Sequence, residues 1–331
     1  MPKRIVDLRS QRPLLDIASY GRRAPDRRLI LTAAEIAHVS RTVRGVPEVM
    51  IKVSGGARTI RGVASHLEYL EKRTELETDD GAVLTEKGLA HQLLKDWDLE
   101  VDERRRHTQR GVASGRRPPK LVHNLVFSMP KGTPPDKLYK AVKRFATERF
   151  GAQHRYAMAL HTDQGHPHVH LVVKAMSERG ERLNIYMATL REWRRDFARY
   201  LREFGVEANA TERAVRGSQH QNRKTGIYRA AARGESSFMS EREEAAAHEL
   251  RHGRHQPDRG QLRLSATRRD VDRGWHVLGE LLEREGIHDI ACQVRRFASQ
   301  MPPVHTDREL IATALRARLH DGLSRAPPLA R

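Results

Sequence analysis

Four histidines fall within ten residues of the stretch YAMALHTDQGHPHVHLVVKA, Tyr156 to Ala175. "RYAMALH" and "HVHLVVKA" read as two strands, and "TDQGHP" between them supplies the Asp, Gly and Pro of a hairpin turn. Side chains alternate across a strand, so His168 and His170 share a face, and the hairpin sets His161 opposite His168. Alternation sends Val169, Leu171 and Val173 to the other, buried face. Three neutral imidazoles on one sheet face suit a divalent metal ion and leave coordination positions open for a substrate. Edge histidines in ordinary hydrogen bonds are the plain alternative, and they explain one histidine better than three convergent ones. His166 precedes Pro167 inside the turn and is not expected to be a ligand, while Asp163 is placed to orient a ligand histidine.

The elements that must hold this cluster belong to a strongly basic chain. Its 331 residues carry 61 Lys+Arg against 42 Asp+Glu, a formal charge of +19. Such a surplus points to a polyanion, with nucleic acid ahead of acidic lipid. A single cysteine, Cys292, excludes a disulfide framework and a cysteine-based zinc finger. No apolar run reaches the length of a membrane span, and Met1–Val46 lacks the apolar centre of a secretory signal, so a cytoplasmic protein without membrane insertion is expected. No GxxxxGK[ST] run is present, which argues against an attached ATPase.

Met1–Val46 holds ten basic and four acidic residues and reads as a basic arm with one short helix, in "LTAAEIAHVSRTV". "EVMIKVSGG" reads as a strand ending in a Gly pair, and "RTIRGVASHLEYLEKR" as a helix with Ile60, Val63, Ala64, Leu67 and Leu70 on one stripe. Arg104–Lys120, with seven basic residues and no acidic one, reads as a solvated loop. "LVHNLVFSMP" reads as a buried strand and "PPDKLYKAVKRFATERFG" as a helix. "TLREWRRDFARYLREFG" reads as a helix opened by a Thr189/Glu192 capping box. The order implies one α+β domain with a mainly antiparallel sheet flanked by helices, at 47–216, between the arm (1–46) and a basic, mainly helical C-terminal region at 217–331.

"HTDQGHPHVHLVV" resembles the third motif of the relaxase/mobilization nucleases, in the HUH endonuclease superfamily, and especially the type that nicks T-DNA borders. "HNLVFSMPKGT" resembles the family's second motif, and the likeness extends more weakly from about Val46 to Arg216. It implies a metal-bound triad of His161, His168 and His170, with Mg²⁺ or Mn²⁺ as the ion. It also implies a nucleophilic tyrosine early in the domain, a place that "SHLEYLEKR" fills with Tyr69. Independently, at roughly 100° per residue Tyr69 lies about 150° from the centre of its helix's apolar stripe and is no core residue. Tyr20, Tyr139, Tyr156, Tyr186, Tyr200 and Tyr228 are worse placed. Two positions depart from the family pattern. Asn124 stands where a histidine usually precedes Ser128 by four residues, so His123 beside it is given no role. Gly165 stands where some relatives carry a second acid, so the proton acceptor for Tyr69 is not named.

The likeness implies a nickase that attaches to the 5′ end of one DNA strand at an origin of transfer and starts conjugative plasmid mobilization. Its implied partners are single-stranded and supercoiled plasmid DNA, relaxosome accessory proteins and a type IV secretion coupling protein. Its implied place is the bacterial cytoplasm, with export while bound to DNA. A rolling-circle replication initiator would use the same chemistry, and a non-catalytic DNA-binding accessory protein would share the charge without needing the triad and Tyr69. Phosphate contacts are expected from Arg213, Arg216, Arg223 and Lys224, within a run of six basic residues and no acid between Arg213 and Arg233.

Overall fold

A computed structural model describes residues 31–84, 89–108, 118–151, 153–163, 165–218, 225–252 and 259–324. Arg223 and Lys224, and the charged residues before position 31, lie outside the described residues. The chain divides into two compact units, Gly45–Ala210 and a second made of Met1–Arg44 with Thr211–Arg331.

The second unit is helical. Its first described helix, α1 (Ala33–Val43), is opened by a capping box between Thr32 and Glu35. In the first unit the order is β1 (Met50–Gly55), α2 (Ile60–Glu71), β2 (Leu76–Thr78), β3 (Val83–Leu84), α3 (Leu89–Asp96), α4 (Leu99–Thr108), β4 (Val122–Ser128), α5 (Pro135–Arg149), β5 (Tyr156–His161), β6 (His168–Lys174) and α6 (Met187–Glu203). The second unit resumes with α7 (Thr225–Ala232), α8 (Ser237–His252), α9 (Arg259–Arg284), α10 (His288–Ser299) and α11 (Asp307–Ser324). No described helix is long and apolar enough to cross a membrane.

The six strands of the first unit form an antiparallel sheet in the order β1-β4-β6-β5-β2-β3, the α+β architecture that the sequence implies. Both faces are covered, by different helices. Leu125, Phe127, Met158, Val169, Leu171 and Val173 face a core closed by Phe145 of α5 and Trp193 and Phe197 of α6. Phe127 lies 4.9 Å from Phe145 and 5.1 Å from Phe197, ring centroid to centroid. On the opposite face Val122, Ala157, Ala159 and Val172 meet Val63, Ala64, Leu67 and Leu70 of α2, Leu93 and Leu94 of α3, and Trp97 just after α3. Burying aliphatic and aromatic side chains of this size contributes ~1.5–3 kcal/mol each, which is enough to pin α2 to the sheet.

Several details depart from the sequence reading. Arg104–Thr108 is helical, as the last turn of α4, while 109–117 of the segment read as a loop lie outside the described residues. The Thr189/Glu192 capping box does not form, because α6 starts earlier, at Met187 with Tyr186 as its N-cap. Glu192 instead binds Arg149 of α5 at 2.7 Å. Strands β2 and β3 and helices α3 and α4 had no counterpart in the pattern reading. In the second unit, Leu31 and Val39 share a core with Val215, Val271, Trp275, Leu278, Leu282 and Val294. Trp275 Nε1 donates to the Val215 carbonyl at 2.8 Å. The helix expected in a basic arm is thus packed against the C-terminal helices.

Candidate active site and metal centre

The sheet register determines which side chains meet. His161 pairs with His168 across the β5–β6 ladder, and His170 pairs with Ala159 one i, i+2 step away. Paired residues and i, i+2 neighbours share a face. The three rings therefore converge, with centroids 5.3 Å (His161–His168), 4.6 Å (His161–His170) and 5.1 Å (His168–His170) apart. One nitrogen of each lies within 4.8 Å of the others.

Whether a cation fits depends on the free nitrogens. His161 Nε2 and His170 Nδ1 are buried without a hydrogen-bond partner among the described residues. Leaving a buried polar atom unpaired costs about 1–3 kcal/mol. A divalent ion accepted by both nitrogens removes that cost. His168 Nδ1 donates to the His166 carbonyl at 3.1 Å, which fixes the tautomer and leaves Nε2 with a lone pair. Burial pushes the His170 imidazole down to about 4, with the charges of His161, His168 and His66 adding to the fall and Asp163 opposing it. Burial lowers His161 as well. A depressed imidazole is neutral at pH 7, the form a metal ion requires. The donor set fits a divalent cation.

The remaining candidates are positioned as follows. His166 is exposed, and its Nδ1 accepts the Lys131 backbone N–H at 3.0 Å, so this nitrogen is engaged outside the cluster. Asp163 accepts from Arg73 Nη1 at 3.0 Å rather than from a histidine, and reaches His161 and His170 through its charge. His123 is on the opposite sheet face, 3.2 Å from the Leu183 carbonyl, and burial pushes it down to about 4. Asn124 is buried on the histidine face. Arg213 is exposed and Arg216 half-buried, both in the second unit.

Helix α2 brings Tyr69 to the cluster. Thr59 caps the helix by accepting from the Gly62 N–H, and Val63, Ala64, Leu67 and Leu70 are buried. Tyr69, between Leu67 and Leu70 in sequence, is turned out of that stripe and is 43% exposed. Three other tyrosines are occupied. Tyr139 and Tyr200 donate to Glu77 and Glu148, and Tyr156 is buried; burial pushes all three phenols up. Tyr186 is exposed at the N-cap of α6, while Tyr20 and the Tyr228 side chain lie outside the described residues.

Two residues that sequence reasoning passed over frame Tyr69. His66, one turn earlier, stacks on its ring at 6.3 Å with an interplanar angle of 12°. The same His66 meets His170 edge-on at 6.3 Å, so it lies between the tyrosine and the cluster. Its Nε2 is buried without a partner among the described residues, and burial lowers its pKa. Arg73, one turn later, places its guanidinium 4.5 Å from the Tyr69 ring centroid while holding Asp163 in the hairpin turn. The i−3 and i+4 spacing to Tyr69 was readable as one helical face. Nothing in the spacing said which face would meet the histidines.

The comparisons with known proteins converge on this domain. The model of the MobA/VirD2-like nuclease domain of relaxases matches residues 69–206, a stretch that opens at Tyr69 and includes the three histidines. The T-DNA border endonuclease VirD2 of Rhizobium rhizogenes is 28% identical, over 51% of this chain and 42% of its own length. VirD2 of Agrobacterium fabrum (strain C58 / ATCC 33970) is 26% identical, over 51% of this chain and 41% of its own. The chain spans about two fifths of the length of these curated relatives. No solved structure matches. The segment that carries the antiparallel sheet's three converging histidines is therefore similar to the nuclease domain of MobA/VirD2-type relaxases.

Proposed function

We propose that this protein nicks one DNA strand at an origin of transfer by attack of Tyr69, so starting conjugative plasmid mobilization. The observation that carries the reading is the placement of Tyr69: exposed, on the helix that covers the histidine face, with His66 in ring contact with both it and His170. The Tyr69 oxygen forms a bond to phosphorus and the bond to the 3′ oxygen breaks. The phenol gives up its proton and the 3′ oxygen gains one, leaving a 5′-phosphotyrosine and a free 3′-hydroxyl. The phosphodiester bond is exchanged rather than hydrolysed, so the ends can be rejoined.

His161, His168 and His170 would hold a divalent ion, Mg²⁺ or Mn²⁺ in the cell, which when bound offsets negative charge on the phosphate oxygens. Arg73 keeps the Tyr69 ring in place and adds a positive charge beside it. His66 and the apolar packing of α2 exclude water from one side of the ring. Arg213, Arg216, Arg223 and Lys224 contribute phosphate contacts from the second unit, and the arm (1–46), nuclease domain (47–216) and C-terminal region (217–331) divide the roles of grip and chemistry. The partners in this reading are single-stranded and supercoiled plasmid DNA, relaxosome accessory proteins and a type IV coupling protein, with the protein leaving the cytoplasm attached to the strand.

The test is incubation with labelled single-stranded origin DNA and Mg²⁺ or Mn²⁺, followed by peptide mapping of any covalent adduct. An adduct on Tyr69 is expected. An adduct on another tyrosine, or nicking with a free 5′ phosphate, overturns the reading.

A further inference from the structure

The histidine face is covered unevenly. Helices α2 and α3 lie over β5, β6 and the start of β4, through Ala157, Ala159, Val172 and Val122. Edge strand β1 belongs to the same face, and there it is bare. The register places Met50 beside Ser128, which pairs with His168, which pairs with His161. One step along, Lys52 lies beside Val126, which pairs with His170. Paired residues share a face, so Met50 and Lys52 look out on the side where the histidines converge. Both are exposed, Met50 to 42%.

Three basic side chains border this opening. Lys52 has no ion-pair partner among the described residues. Lys131 is exposed in the loop after β4, and its backbone N–H holds His166 at the hairpin turn. Arg73 closes a third side, with Asp163 bound to it. The alternate Ile51 and Val53 are turned to the opposite core, and Arg194 of α6 ties the Ile51 carbonyl at 3.2 Å, so β1 is held in register.

We infer that the bare half of this face, from the histidine cluster across β4 to β1, is the track of the single-stranded DNA beside the cleaved phosphate. Lys52 pairs with one backbone phosphate, Lys131 with another, and Met50 packs against a base or sugar between them. Lys52 is two strand spacings from His170, about 10 Å, a reach within the span of neighbouring nucleotides. Among the described residues, α5 and α6 fill the opposite sheet face. Sequence tolerance follows, since a lysine and a methionine grip backbone and ring surface without reading base edges.

The inference rests on the reading of Tyr69 and the triad as a DNA-nicking centre, so its test is run in two arms. In the first, single-stranded DNA affinity is measured against salt in the Tyr69→Phe protein, which keeps the ring and stops the chemistry. Each phosphate contact contributes roughly 0.7 to the slope of log affinity against log salt. Lys52→Ala should flatten it by about 0.7, and Lys52→Ala with Lys131→Ala by about 1.4. Met50→Ala should weaken binding with the slope intact. Lys140→Ala, an exposed position on α5 over the other face, is the control and should change neither. Equal flattening by the Lys140 and Lys52 changes would mean a diffuse surface field and overturn the track, as would an unchanged slope in the double lysine variant. In the second arm, the otherwise wild-type protein is tested for the Tyr69 adduct. Its absence sinks the nicking centre itself, whereas an adduct with unchanged slopes sinks only the track. Circular dichroism separates loss of binding from loss of fold, and Lys52→Met, which keeps the stem, must reproduce the Lys52→Ala slope.

Discussion

Metal affinity as a function of pH tests the cluster most directly, because burial lowers the pKa of His161 and His170. An unperturbed imidazole titrates near 6.5, so between pH of about 7.5 and about 5.5 proton competition weakens a metal by about tenfold per ring, or about 1000-fold for three. His170 is held down to about 4, chiefly by burial and then by the charges of its neighbours. Over the same range it loses almost nothing to protons, roughly 3%. The sign is that of a depressed base: the metal-ready neutral form persists through mildly acidic pH and is lost only as pH falls through about 4. His161 is shifted in the same direction. The loss of affinity should therefore be at most about 100-fold and not 1000-fold. Isothermal titration with Mn²⁺ at several pH values measures it, and buffers of different ionisation enthalpy count the protons released. A fall of about 1000-fold, or a proton release matching three unshifted rings, would refute the buried, mutually repelling arrangement. At saturating metal, about 100 times the dissociation constant, the domain should gain roughly 2.7 kcal/mol against unfolding.

Four further outcomes follow from the same geometry. Tyr69→Phe should abolish the covalent adduct while DNA affinity changes by less than about fivefold, since one exposed hydroxyl contributes on the order of 1 kcal/mol or less; gel shifts and denaturing gels on the same samples read both. Replacing His161, His168 or His170 by Ala should cost calorimetric metal affinity severely, whereas His166→Ala should keep most of it, because His166 Nδ1 serves the Lys131 N–H. Arg73→Gln, which keeps the stem but loses the charge over Tyr69, should slow adduct formation by about 10-fold under saturating DNA, with Arg73→Lys recovering part, measured as single-turnover rates. Phe127→Ala should destabilise the nuclease unit by about 3–5 kcal/mol in urea unfolding, since its ring is wholly buried between Phe145 and Phe197.

Much of this protein was legible before any coordinates. The alternation in "HVHLVVK" determined that His168 and His170 share a face and that Val169, Leu171 and Val173 oppose them, because strand periodicity is a property of the local backbone. The apolar stripe of α2 likewise determined that Tyr69 is turned away from its own helix's packing surface. Strands β2 and β3 escaped because strands of three and two residues carry too few alternations to show a period. The start of α6 was misread because Thr189 and Glu192 have capping spacing, yet tertiary contact gives Glu192 a better partner in Arg149. What only the tertiary structure decided is the company each side chain keeps. Register and the docking of α2 brought His66 between Tyr69 and His170 and set Arg73 against Asp163. Pairing of β1 with β4 turned Lys52 toward the histidines, where a one-residue slip would have sent it to the opposite core. Local patterns state which way a side chain points from its own element, but strand pairing and helix docking are non-local, and they alone determine what it points at.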